Sequence, residues 1–208
     1  MIVEESSSVL NKELENLLEI ERKSRQENKS KLNLQTSLQI VELLWQKKDL
    51  KQLTHVVANL CTKKGQSMKT VTSIIQKCMT LIDQIPNKAD MLFYVGKLNE
   101  TCRKQIYLEK EYAKTSMILV KNCEERGDIE KAAEIISKVQ IETFNSVSKH
   151  DKIDFILYQL KLFIQKRDWV KVYIIIKKIN TKFLEDAGFE LLKLTFYLYS
   201  FWYNKEKK

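Results

Sequence analysis

Catalysis and metal binding would have to rest on a short inventory of side chains, beginning with four cysteines and two histidines. Cys61, Cys78, Cys102 and Cys123 are widely spaced, with no C-x-x-C pair and no neighbouring histidine to complete a metal site. They read as small core residues in a reducing compartment. His55 and His150 stand apart from each other and from any Cys/His cluster, so they read as ordinary packing or surface histidines. The carboxylate pairs Glu4-Glu5, Glu13/Glu15 and Glu124-Glu125 fall in strongly polar stretches, where no desolvation would raise a pKa toward general-acid work. They read as solubility features. The four glycines are isolated, so neither G-x-x-x-x-G-K-[ST] nor G-x-G-x-x-G occurs to cradle a phosphate. No cofactor, no metal, no small-molecule substrate and no enzyme activity are expected.

The scaffold that would carry these side chains is helical from end to end. Four glycines and one proline in 208 residues compare with an average usage of roughly 12% for the two together. Tight hairpins lean on those residues, so a sandwich, a barrel or a doubly wound sheet is disfavoured. Apolar residues recur three or four apart, which places them on one face of a helix. Leu34, Leu38, Val41 and Trp45 form one such stripe, and Val71, Ile74, Ile75, Cys78, Met79 and Ile82 a second. Others run through Ile129, Ala133, Ile136 and Val139, then Ile153, Leu157, Leu160 and Ile164, and finally Leu191, Leu194, Leu198 and Trp202. The β-branched run Val172-Tyr173-Ile174-Ile175-Ile176 would pass for a buried strand. The spacing of Trp169, Val172, Tyr173, Ile176, Asn180 and Phe183 predicts instead one long helix, apolar on nearly all sides and held between neighbours.

Three breaks share one chemistry: Lys47-Lys48-Asp49-Leu50, Arg126-Gly127-Asp128-Ile129 and Lys166-Arg167-Asp168-Trp169. Basic residues close a helix, and an Asp caps the next. Ile85-Pro86-Asn87 supplies a stop between the first and second of them. Gly65, residues 145–148 and Ala187-Gly188 connect successive hairpins. Ala132 and Ala133 let paired helices approach closely, and Gly127 permits a left-handed cap. The pattern predicts an all-α fold: a right-handed α-solenoid of four to five antiparallel helix pairs, of the tetratricopeptide-like kind. Residues 1–31 read as a separate N-terminal helix, capped by Ser6-Ser7-Ser8 and followed by a polar linker. Residues 32–208 form the repeat arm.

A net charge of +9 raises the question of a polyanion partner. Of the 36 basic residues only five are arginines, the residue that phosphate and base contacts favour. Several lysine pairs fall at predicted helix ends. Nucleic acid is therefore the less favoured partner, and an RNA-binding helical repeat stands as an alternative. The N-terminus carries acid where a secretory signal needs base, and no run approaches a membrane span, so an intracellular protein is expected.

Val139-Gln140-Ile141-Glu142-Thr143-Phe144, residues 152–160 and Lys177-Lys178-Ile179-Asn180-Thr181-Lys182-Phe183 resemble the PCI-group subunits of the 26S proteasome regulatory lid. The resemblance covers residues 113–194 strongly and the earlier half loosely. It implies the N-terminal helical-repeat portion of a non-catalytic lid scaffold in ubiquitin-dependent protein degradation, cytoplasmic and nuclear. Other lid, base and core subunits are its implied partners. The family's C-terminal winged-helix PCI module is absent from these residues. A PCI scaffold of the signalosome or of a translation initiation complex is the alternative. Asn180, Thr181 and Lys182 are candidate protein-contact residues. The aromatic final helix, with Phe196, Tyr197, Tyr199, Phe201, Trp202 and Tyr203, is expected to pack on the previous repeat. It is also expected to leave an apolar patch that a neighbouring copy covers, the chain continuing naturally past residue 208.

Overall fold

The computed structural model describes residues 2–179, 181–186 and 188–206. Among them the chain is all-α, with ten α-helices: α1 (Ile2–Gln26), α2 (Ser30–Gln46), α3 (Leu50–Thr62), α4 (Met68–Thr80), α5 (Lys88–Arg103), α6 (Glu109–Glu125), α7 (Ile129–Ser137), α8 (Lys149–Gln165), α9 (Trp169–Lys178) and α10 (Glu190–Glu206). No strand occurs among the described residues.

The helix reversals are local in origin. At each of the three basic-then-Asp breaks a residue turns left-handed: Lys48 at φ 56°, Gly127 at 75° and Arg167 at 60°. The following Asp49, Asp128 or Asp168 accepts a hydrogen bond from the backbone N–H three residues on, satisfying an orphan donor of the new helix. Asn28, at φ 54°, makes a fourth reversal of the same length between α1 and α2. There Lys29 holds the cap position without a side-chain capping bond, so the Asp signature is missing. Asn28, Gly127 and Arg167 close the helix before them with the paired bonds of a Schellman motif, as in Asp128 N–H to Cys123 O at 2.9 Å and Gly127 N–H to Glu124 O at 2.9 Å. At the proline, Asn87 Oδ1 accepts from Ala89 N–H and opens α5.

Two compact units result, residues 1–111 and 112–208. In the first, α1 packs on α2, α2 on α3 and α4, and α3 on α5. Ile40, Leu44, Leu53, Leu60, Ile74 and Leu98 are closed from water there, each contributing roughly 1.5–3 kcal/mol of transfer free energy. In the second, α8 is central, contacting α7, α9 and α10. Leu160, Leu162, Phe163, Ala132, Ala133 and Val172 make its core. The Gln159 amide donates to Ile136 O and Val139 O, both at 3.0 Å, closing the end of short α7 from inside the core.

Three expectations need correction. The polar run that begins at Glu21, read as a linker, is helical as far as Gln26, because its buried face is polar instead of absent: Glu21 and Ser24 are closed from solvent. Ser6, Ser7 and Ser8 accordingly lie inside α1 rather than at its start. The run from Trp169 is helical as expected, but α9 stops at Lys178 and a 3-10 turn occupies Thr181–Glu185. It also buries only the Val172, Ile175, Ile179 side, with Val170, Tyr173 and Ile174 exposed, so it is not enclosed on all sides.

Candidate protein-contact surfaces

The cysteines expected in the core are there in three cases. Cys61, Cys78 and Cys102 are buried in the first unit, and Cys123 is half-buried in the second. Burial pushes the Cys78 and Cys102 thiols up to about 12 and raises Cys61 further, which removes the thiolate that nucleophilic or metal chemistry needs. Tyr94 is buried among them and donates to Cys78 O at 3.2 Å, and its own ionisation is pushed far up by desolvation. His55 contacts the Asn59 amide at 3.0 Å, and His150 lies against Phe189. Among the described residues no group of three or more His, Cys, Asp or Glu side chains is arranged to hold a metal ion. Among the described residues no helix is long and apolar enough to cross a membrane.

Two carboxylates do unexpected structural work. Glu21 on α1 receives Arg25 at 3.0 Å, Lys63 at 3.1 Å, Asn33 at 3.3 Å and Gln66 at 3.5 Å. Arg25 extends the cluster by donating to Lys64 O at 2.8 Å. One buried anion thus ties α1 to α2 and to the α3–α4 connection, where Gly65 turns at φ 81° beside the Arg25 stem. Glu124, read from sequence as a surface carboxylate, accepts from the Tyr158 hydroxyl and from Lys161 at 3.0 Å, joining α6 to α8. Neither role was visible in residue type, because Lys63 and Gln66 on Glu21, and Tyr158 and Lys161 on Glu124, lie 34 to 45 positions away.

Of the three sequence-nominated contact residues, Thr181 and Lys182 are exposed on the 3-10 turn after α9. Asn180 lies outside the described residues. The larger feature nearby is α10. Leu192 and Phe196 bury against the unit, while Leu191, Leu194, Tyr197, Leu198, Phe201 and Trp202 are between 52% and 74% exposed. The expected packing therefore holds for Phe196, and the stripe of Leu191, Leu194, Leu198 and Trp202 faces outward. Tyr203 carries this surface toward α9, stacking on Tyr173 with ring centroids 6.1 Å apart. An apolar face of that size is what a protein partner would cover.

The family model described as PSMD12/CSN4, N-terminal, matches residues 12–208. The chain is similar to the 26S proteasome regulatory subunit rpn501 of Schizosaccharomyces pombe, at 33% identity over 184 residues, 88% of this chain and 42% of that relative. The 26S proteasome non-ATPase regulatory subunit 12 homolog A of Arabidopsis thaliana is 33% identical over 176 residues, 85% of this chain and 40% of its own. The 26S proteasome regulatory subunit RPN5 of Saccharomyces cerevisiae is 30% identical over 190 residues, 90% of this chain and 42% of its own. The chain thus spans about two fifths of the length of these curated relatives.

Proposed function

We propose a function from one premise: the chain belongs to the PSMD12/CSN4 N-terminal family. It acts as the helical arm of a regulatory subunit of the 26S proteasome, a scaffold of the lid in ubiquitin-dependent protein degradation, in cytoplasm and nucleus. Its work is to bind neighbouring proteasome subunits, without catalysis of its own. The observation that carries this reading is similarity to proteasome regulatory subunits along nearly the whole chain. The open apolar face of α10 supports it, since a solenoid-type arm offers broad surfaces in place of a cleft. Thr181 and Lys182, with Asn180, are proposed contact residues, and the α10 face is proposed to mediate self-association when no partner covers it.

Affinity capture tests the proposal. Tagged chain expressed in eukaryotic cells is expected to recover proteasome lid, base or core subunits, and the Thr181→Asp, Lys182→Glu double variant to recover less of them at unchanged helix content. Recovery of signalosome or initiation-factor subunits in place of proteasome subunits would refute it, as would recovery of ribonucleoprotein alone.

A further inference from the structure

The groove between α3 and α5 has a chemistry that the helical packing does not use. We propose that it docks an acidic segment of a partner protein, one carrying an apolar side chain among its carboxylates. The groove encloses about 430 Å³. Gln105 donates to Cys61 O at 3.0 Å, joining the C-terminal ends of the two helices, so they run side by side in the same direction. Lys51 stands at one end, Lys97 in the middle and Lys104 at the other, all exposed. A single carboxylate, Glu100, faces the groove, and Lys97 pairs with it at 3.1 Å. No acidic side chain lies within ion-pair distance of Lys51 or Lys104 among the described residues, leaving two uncompensated cations at opposite ends.

The groove's apolar surface is Phe93, 40% exposed, at the Lys51 end and Ala58, half-buried, toward the Lys104 end. Thr54 and Thr101 are buried beneath it. Phe93 to Lys104 spans roughly 16 Å along α5, a distance that an extended segment of about five residues covers. Such a segment would set carboxylates against Lys51 and Lys104 and an apolar side chain against Phe93. Charge complementarity selects the partner and its register, while the aromatic contact adds affinity that salt does not screen. Nucleic acid fits less well, because the groove offers lysines without arginine, and its two exposed rings, Phe93 and His55, form no continuous stacking row.

The test is independent of the proteasomal reading, since it needs only this chain and a fluorescein-labelled peptide, Gly-Asp-Glu-Leu-Asp-Glu-Gly, followed by fluorescence anisotropy. Binding is expected, with the Lys51→Glu, Lys104→Glu double variant weakening it at least about tenfold, a loss of roughly 1.4 kcal/mol or more. Lys12→Glu with Lys69→Glu, the same change in net charge outside the groove, should leave affinity within about twofold, well under one such step. Phe93→Ser should weaken the Leu peptide and leave a Leu-to-Gly version unaffected. All variants alter exposed side chains, and circular dichroism checks that each remains helical. Absence of peptide binding, equal loss in the two charge-reversal pairs, or tighter binding of a single-stranded oligouridylate through the same lysines would each overturn the proposal.

Discussion

A carboxylate closed from water is costly unless cations and amides meet it, and Glu21 is met by Arg25, Lys63, Asn33 and Gln66. Removing the anion leaves the part-buried Arg25 and Lys63 without their shared carboxylate and the buried Asn33 amide short of an acceptor, in a site closed from water around it. Glu21→Ala is therefore expected to lower stability by about 3 kcal/mol, read as a shifted urea midpoint at unchanged m-value. A change within about 0.5 kcal/mol, the range of an ordinary surface substitution, would contradict the reading. The cysteines give a second residue-scale expectation. With the Cys61, Cys78 and Cys102 thiols raised by burial, their thiolate fraction at mildly alkaline pH is negligible. A thiol reagent should modify only half-buried Cys123 in the native protein and all four after unfolding; fast modification of a second native thiol would contradict it. The buried cysteines were legible in the sequence because no second Cys or His stands near them to complete a metal site, and Cys78 lies on an apolar stripe. Glu21 was not, because residues 21–31 hold no apolar side chain, and the cation that justifies its burial, Lys63, is 42 positions away.

At the scale of the element, the hairpins are set by three-residue connections with a left-handed second residue. Gly127 occupies that position without strain, whereas Arg167 and Lys48 carry a Cβ that crowds the backbone there. Arg167→Gly should accordingly stabilise the protein by about 1 kcal/mol, and Gly127→Ala should destabilise it by a similar amount. Asp168→Ala, which strips the cap from α9, should cost about 1 kcal/mol, with Asp168→Asn nearly neutral. Thermal and urea unfolding decide each sign, and a destabilising Arg167→Gly would refute the strain argument. These connections could be read from sequence wherever an Asp followed the basic residues. The reversal at Asn28 escaped because Lys29 stands where the cap residue should be. The end of α9 escaped for a different reason. The spacing of Trp169, Val172, Tyr173 and Ile176 continues in register to Phe183, although the helix itself stops at Lys178.

Across the whole molecule, the all-α repeat was legible because scarce glycine and proline, amphipathic stripes and recurring breaks all point to it. Which face of each helix would remain uncovered was not, since a stripe such as Leu191, Leu194, Leu198 and Trp202 looks the same whether it meets a neighbouring helix or a separate chain. The structure turns it outward. In the absence of a partner that face should bring copies together: light scattering on a size-exclusion column is expected to show mass rising with concentration, and Leu194→Glu with Phe201→Glu to hold the protein monomeric. A wild-type chain that stays monomeric throughout would leave the face without that role.

A scaffold that works by binding, as proposed above, is needed for the particle to assemble. Depleting it in its own cells and resolving proteasomes on a native gel tests this most directly. Complete 26S particles are expected to fall while free core particles accumulate, with rescue by the wild-type protein and poorer rescue by a version carrying Leu194→Glu and Phe201→Glu. An unchanged ratio of 26S to core particles after depletion would contradict it.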